Sequence, residues 1–485
     1  MLSLLASLLA LLTLCLIAMQ VIYVFNYQAF MEQGVQVADD QDGEFNHLDS
    51  EVASENKDGE VHVPDFHPAA AVVLCLKGED ENLIECLTGL VCQEYPDWQL
   101  FIVVDSNSDP VLKTVASFFD SREVKPVVQS LRSPLKTCSL KCSAIVQAIG
   151  SIPSRYEVVA FIDADTIPDQ SWLFDLVAPL ADSTVGATTG NRWYAPQSDS
   201  LGAWARKIWN AAAIVQMQRY HVPWGGSLAL RTETIKRCGL VEVWQKTFCE
   251  DTALIEQLEK QKLTLHRVPN LVLECTESIS LSGAFEWITR QLLTVRLHHP
   301  KWSWVAAHAL ASGLVAIASP VVIILMPIFG EFRSMWTLIQ AYLAWQVVNS
   351  WLLWMIEKSN RRALDNRESF NRLPNAGYSN ILMQFCGTVL TQWMYPLAAW
   401  EACFLNQVWW RGVSYKVDAN GTVELIEKTD AVADLRGDSK ASQELLAMGF
   451  HLNGVDDSAA DNRDDIGAET SGIDFPSRFS NRSQN

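Results

Sequence analysis

The first 25 residues contain no Lys, Arg, Asp or Glu. A helix of about 20 apolar residues crosses the roughly 30 Å hydrocarbon core of a bilayer with every backbone group satisfied internally. A cleavable signal peptide would need a charged n-region and a small-residue cleavage site. Neither is evident, so residues 1–28 are expected to be a transmembrane helix. Three further apolar segments lie near 303–329, 335–356 and 380–404. The chain therefore divides into a membrane part and a soluble middle, and its composition agrees, with 49% hydrophobic and only 19% charged residues.

The loop 357–379 carries Lys358, Arg361, Arg362, Arg367 and Arg372, which the positive-inside rule places in the cytoplasm. The apolar hairpin 303–356 then begins and ends on that side. The middle of the chain is expected to be cytoplasmic, with residue 1 outside. The last apolar segment holds Gln384, Gln392, Pro396 and Glu401. Full spanning would put the basic stretch Arg411–Lys416 outside, so a re-entrant or interfacial hairpin is expected over 380–408. The order that follows is a transmembrane helix 1–28, an acidic linker 29–67, an α/β domain 68–284, an interfacial helix 285–302, transmembrane or re-entrant helices 303–408, and an acidic cytoplasmic tail 409–485 with little fixed structure.

The net charge of -19 is concentrated in 35–65 and 417–474, which argues against a nucleic-acid partner. The 11 cysteines are scattered without CxxC or Cys/His spacing, as in a reduced cytosolic domain. Glycosylation sequons at Asn420 and Asn481 would be chance matches on the cytoplasmic face.

The middle reads as strands alternating with helices. Strands are expected at 71–76, 100–104, near 124–128, and at 158–162. Helices are expected at 81–93, around 110–119, and at 139–149. This alternation predicts a mostly parallel, doubly wound sheet. The apolar run Val158–Ile162 closes in Asp163-Ala164-Asp165, and the second strand closes in Asp105. Carboxylates at the carboxyl ends of parallel strands lie where such sheets bind ligands. The pair Asp163 and Asp165 can hold a hard divalent cation and, through it, a diphosphate, or merely open a loop. The stretch Asp105–Asp109 superficially resembles a calcium loop, but Pro110 and Ala116 stand where a glycine and a bidentate Glu are required, so that reading is rejected.

Downstream, Gly225 and Gly226 offer backbone without Cβ bulk ahead of Ser227, suited either to close approach of a ligand or to an ordinary turn. Glu250 and Asp251 begin a helix over 252–261, as a cap or as a general base. Residues 285–297 form an amphipathic pattern with Arg290, Gln291 and Arg296, flanked by Trp287, Trp302 and Trp304. Its cations suit headgroups or a diphosphate. Lys141 is read as a phosphate contact or as a solvent-facing lysine.

Taken in order, these pieces resemble the inverting family-2 glycosyltransferases of GT-A fold, most closely their membrane-bound, ceramide-glucosyltransferase-like members, over about residues 70–416. The resemblance rests on Lys77-Gly78-Glu79-Asp80, on Gln93–Pro96 with Val103-Val104-Asp105, and on Asp163-Ala164-Asp165. It continues with Gly225–Arg231, Glu250-Asp251, and Trp410-Arg411-Gly412 with Tyr415. The family's Gln-x-x-Arg-Trp element is altered: Gln291 is kept, but Arg296 comes two residues late.

The resemblance implies a Rossmann-like GT-A domain that takes a nucleotide sugar, with a UDP-sugar expected, as donor. Asp105, Lys77, Asp163 and Lys141 would contact the donor. Asp165 with Asp163 would hold Mn2+ or Mg2+, and Asp251, beside Glu250, would be the base. Gly225, Gly226, Ser227, Gln291 and Arg296 would face the acceptor and diphosphate. Transfer of one sugar to a ceramide-like lipid is the expected function. A processive polysaccharide synthase is the alternative, and a catalytically inactive membrane scaffold a further one.

Overall fold

The structure is a computed structural model that describes residues 2–41, 66–196, 200–367 and 381–428. Helix α1 (Leu2–Gln41) is followed by β1 (Ala70–Leu76), α2 (Leu83–Val91), β2 (Trp98–Val104), α3 (Val111–Phe119), β3 (Val127–Ser130), α4 (Leu140–Ser151) and β4 (Val158–Ile162). Then come α5 (Trp172–Val177), β5 (Val185–Tyr194), α6 (Leu201–Tyr220), β6 (Ser227–Arg231), α7 (Thr232–Arg237), α8 (Leu240–Trp244), α9 (Leu254–Lys260) and β7 (Thr264–Cys275). The carboxyl-terminal helices, called membrane-side after the sequence expectation, are α10 (Leu281–His298), α11 (Trp302–Gly313), α12 (Ser319–Leu325), α13 (Phe332–Asp365) and α14 (Ile381–Phe404). A small sheet of β8 (Gln407–Trp410), β9 (Val413–Val417) and β10 (Val423–Lys428) follows.

Seven strands form one sheet in the order β3-β2-β1-β4-β6-β5-β7. It is the mostly parallel α/β sheet that the strand–helix alternation predicts. Its central strands read as unbroken apolar runs because both faces are covered. Along β1 the period of two is explicit: Ala70, Val72 and Leu74 enter the core under α2, α3 and α5, while Ala71 and Val73 enter the core under α4 and α8.

The directions of the strands decide where chemistry can gather. Strands β1, β2, β3 and β4 are mutually parallel, and β6 is antiparallel to both β4 and β5. The carboxyl ends of β2, β4 and β5 and the amino end of β6 therefore share one edge, and the pairing of Ile162 with Ser227 places the turn before β6 beside the end of β4.

Among the described residues, two helical stretches are long and apolar enough to cross a membrane, Leu2–Gln33 and Trp302–Phe329. Both turn apolar side chains outward, among them Leu4, Leu8, Leu11, Ile324 and Ile328. The second continues from α11 through a π-helical turn, Leu314–Ala318, into α12. Helix α1 packs along α13, where Tyr27 donates a hydrogen bond to Asn360 (2.9 Å).

Three boundaries differ from expectation. Helix α1 runs on to Gln41, past the expected end at 28. Residues 381–404 form one helix, not a hairpin; Pro396 is accommodated where Gly313 leaves room, since a Cβ on Gly313 would lie 2.7 Å from the proline ring. Residues 407–428 are an antiparallel sheet, although 409 onward was expected to be an unstructured tail. Val413, Tyr415 and Val417 are buried in the core shared with α4, an alternation that stands just ahead of the acidic tail. The turn between β8 and β9 is Arg411-Gly412, with positive φ at both positions (47° and 73°), as a two-residue type I′ hairpin requires. The rest of the expected linker and tail, 42–65 and 429–485, lies outside the described residues.

Candidate functional site

The shared edge collects most of the sequence-predicted residues. Asp105 ends β2 and lies 2.5 Å from the ammonium of Lys77, which follows β1. Gly78, at φ +67°, then turns the chain so that its N–H donates to Asp109 (2.9 Å). The other oxygen of Asp109 accepts from Val111 N–H at the start of α3 (3.0 Å), so Asp109 is a structural cap.

Asp163 and Asp165 follow β4. Lys141, on the first turn of α4, is not turned to solvent. Its ammonium lies 2.6 Å from Asp163 Oδ1 and 2.6 Å from Glu250 Oε1, joining the two acidic motifs. Burial alone would lower the lysine, but the two carboxylates outweigh it and hold it well above its ordinary value. Burial raises Asp163, but Lys141 outweighs that and holds it below the ordinary carboxylate range. Asp165 has no such partner: burial, then the charge of Asp163, pushes it up to about 6. Its Oδ1 is enclosed without a hydrogen-bond partner. An enclosed, unneutralised carboxylate oxygen beside a second carboxylate is a donor set suited to a hard divalent cation. Cys249, Glu250 and Asp251 also bring ligand atoms within 4.8 Å of one another, but the Lys141 ammonium already neutralises Glu250 there.

The glycine turn explains how Glu250 and Asp251 are held. Gly225 N–H donates to Asp251 Oδ2 (2.8 Å), and Asp251 Oδ1 accepts from the N–H of Thr252 (2.5 Å). A Cβ on Gly225 would lie 2.0 Å from Glu250 Oε1, so only glycine fits. A Cβ on Gly226 would lie 2.4 Å from the Trp224 ring. Glu250 is completely buried, and burial, offset by Lys141, raises its carboxyl. Asp251 stands just ahead of α9, at the mouth of a cavity.

That cavity is mostly apolar, with an internal volume of about 220 Å³. At the mouth it is lined by Asp251, Arg192, Trp224 and Gln291. Farther along it is walled by side chains of α6, α11, α13, α14 and α1, including Met217, Val305, Leu352 and Tyr23.

Three cations surround the acids. Arg192, at the carboxyl end of β5, lies over the rings of Trp287 (4.9 Å) and Trp224 (5.5 Å), and its Nε is enclosed without a partner. Arg290 of α10 lies over Trp410 (5.3 Å). Arg411, at the β8–β9 turn, pairs with Asp80 (2.5 Å) and donates to Lys77 O (3.2 Å).

Two expected acceptor residues lie elsewhere. Ser227 is fully buried on β6, where its hydroxyl accepts from Trp172 (2.9 Å). Arg296 donates to the carbonyls of Ala402 (2.6 Å) and Cys403 (2.8 Å) at the end of α14. Sequence reading missed Arg192. No apolar run marks it: β5 reads Val-Gly-Ala-Thr-Thr-Gly-Asn before Arg192, unlike the apolar strand that ends ahead of Asp105.

Residues 47–423 match the family model for glycosyl transferase family 21, and the chain belongs to that family. It is 27% identical over 131 residues to the poly-beta-1,6-N-acetyl-D-glucosamine synthase of Staphylococcus epidermidis, covering 27% of this chain and 30% of that protein. It is 26% identical over 125 residues to glycosyltransferase AglE of Haloferax volcanii, covering 26% and 39%. The matches thus span less than half the length of these relatives. Among solved structures it is similar to the mannosyltransferase PcManGT of Pyrobaculum calidifontis in complex with GDP-Man and Mn2+, with a TM-score of 0.42, 15% identity, and 82% and 99% of the two chains covered. It is also similar to glucosyl-3-phosphoglycerate synthase of Mycobacterium tuberculosis in complex with Mn2+, UDP and glucosyl-3-phosphoglycerate, with a TM-score of 0.32, 14% identity, and 46% and 79% covered.

Proposed function

We propose that this glycosyltransferase moves one sugar from a nucleotide-sugar donor to the hydroxyl of a membrane lipid, with inversion at the anomeric carbon. The observation that carries the lipid acceptor is the apolar cavity running from Asp251 into the membrane-side helices. A lipid can place its hydroxyl at the mouth while its chains stay among apolar side chains.

Asp105, held by Lys77, binds the nucleoside. Asp165 and Asp163 hold Mn2+ or Mg2+, which when bound supplies charge neutralisation for the departing diphosphate. Arg192, Arg290 and Arg411 add positive charge around the same position. Asp251 takes the acceptor hydroxyl proton; its two backbone hydrogen bonds fix the carboxylate toward the mouth. Lys141 and Glu250 hold the acid pair and the base in one rigid block.

A polymer-forming reading is favoured by the name of the Staphylococcus relative. A growing polysaccharide needs a polar path, and this cavity is walled mainly by apolar side chains. Protein in lipid nanodiscs, given Mn2+ and a panel of nucleotide sugars, is expected to yield a lipid heavier by one sugar, absent with Asp251→Asn. A polymer ladder would overturn the single-transfer reading. No product and no nucleotide binding would leave an inactive scaffold.

A further inference from the structure

Two enclosed polar atoms flank Asp251, and none of the described residues satisfies them. Trp224 and Thr252 are 5% and 3% exposed, and both line the cavity where Asp251 opens onto it. Trp224 Nε1 and Thr252 Oγ1 have no hydrogen-bond partner among the described residues. A buried donor without a partner costs free energy, and native structures carry few of them. Two on the wall of one cavity, on either side of one carboxylate, point to a bound group that satisfies them.

The contacts that hold Asp251 also place both residues. Trp224 is bonded to Gly225, whose N–H donates to Asp251 Oδ2 (2.8 Å). Thr252 follows Asp251 and donates its own N–H to Oδ1 (2.5 Å). The indole is clamped: Trp224 N–H donates to Thr189 Oγ1 (3.0 Å), Arg192 lies over the ring at 5.5 Å, and a Cβ on Gly226 would lie 2.7 Å from Nε1.

The position of these atoms selects their ligand. Lys141 joins Glu250, the neighbour of Asp251, to Asp163 of the acid pair, 2.6 Å from each. In an inverting transfer the attacking hydroxyl and the leaving group stand on opposite faces of the anomeric carbon. The transferred sugar then lies between the acid pair and Asp251, against the groups that flank the base. An indole nitrogen only donates, whereas a threonine hydroxyl donates and accepts. One edge of a sugar supplies both complements: an oxygen that accepts the indole proton, and a hydroxyl that exchanges a hydrogen bond with Thr252.

We propose that Trp224 and Thr252 form a subsite that reads the hydroxyl pattern of the transferred sugar and so selects the sugar part of the donor. This rests on the nucleotide-sugar donor and on Asp251 as base, and is independent of the acceptor.

The test is calorimetric titration of full-length protein in nanodiscs with Mn2+ and no acceptor. The ligands are the nucleotide sugar that binds most tightly in a panel, its monodeoxy analogues, and the nucleoside diphosphate alone. Wild type is expected to bind at least one monodeoxy analogue about tenfold more weakly than the parent. Trp224→Phe keeps a ring, and Thr252→Val keeps the shape. Each is expected to weaken the parent by about three- to tenfold and to shrink that deoxy penalty below about threefold. Each is expected to leave the nucleoside diphosphate within about twofold, and variants are compared as preparations that meet this condition. Thr252→Ser, which returns the hydroxyl, is expected to keep the penalty. Equal binding of all monodeoxy analogues by wild type overturns the subsite without any variant, as does a deoxy penalty kept in full by Trp224→Phe and Thr252→Val. Both results leave the donor reading standing, whereas wild type that binds no nucleotide sugar overturns the donor reading and the subsite together.

Discussion

The two halves of the proposed site, one for the donor and one for the acceptor, are built in opposite ways. The donor half is polar and assembled from strand ends: Asp105, Asp163, Asp165 and Arg192 stand at one edge because their strands run the same way. The acceptor half is mostly apolar and assembled from helices contributed by distant parts of the chain, α1, α6, α11, α13 and α14. Asp251 belongs to both, fixed by a glycine turn at the sheet edge and opening onto the cavity. The sheet thus holds charge in place, and in the proposed reading the helices would admit a hydrocarbon chain without meeting that charge.

The sharpest test of this division is Asp251→Asn. If Asp251 is the base, kcat is expected to fall by about 10²–10⁴ with nucleotide and Mn2+ affinity kept. A parallel loss of nucleotide binding would place Asp251 in the donor half and break the comparison. Gly225→Ala comes next. The new methyl carbon would meet Glu250 Oε1 at 2.0 Å, and the clash must displace either the glycine turn or the Lys141-linked acids. A stability loss of about 1–3 kcal/mol is expected by thermal unfolding, with turnover down at least about tenfold because Asp251 shares that turn. Unchanged turnover would mean that the turn does not position the base.

The same contrast explains what the sequence revealed. The donor acids were legible because each closes an apolar strand, and strand ends announce themselves locally. Lys141 was ambiguous: a lysine on a first helical turn looks alike whether it faces solvent or bridges Asp163 and Glu250, residues 22 and 109 positions away. The cavity was legible only as a need for lipid, since Gln216, His308 and Tyr395 meet across three helices with no shared motif. The sheet of 407–428 was hidden because its strands are short and border an acidic tail, although Val413, Tyr415, Val417 and Val423 alternate as buried positions. Strand β6 could not be placed from composition; its antiparallel direction is what carries Gly225 to the edge where Asp163 stands.

A milder probe of the donor half is pH. With no metal bound, burial and the Asp163 charge hold Asp165 at about 6. A cation and a proton compete for the same oxygens. Mn2+ affinity is therefore expected to be level above about pH 6 and to fall by about tenfold per unit below it, as measured by calorimetric titration. The direction is fixed, because protonation removes the ligand charge. Affinity unchanged between pH 7 and 5 would mean that Asp165 is not the principal ligand.

The smallest effect is expected at Arg296, where the family resemblance and the structure point to different roles. The resemblance implies contact with acceptor or diphosphate, whereas the guanidinium donates to the last carbonyls of α14, which have no partners within that helix. Arg290, six residues earlier on α10, lies over the Trp410 ring instead. Arg296→Ala is expected to lower thermal stability by about 1 kcal/mol and to change the acceptor KM by less than about threefold. The partial exposure of Arg296 argues against more. The opposite pattern, unaltered stability with a raised KM, would mean that α10 turns during the reaction and brings Arg296 into the cleft. The acceptor half would then be a moving part, and the rigid division between sheet edge and helical cavity would have to be given up.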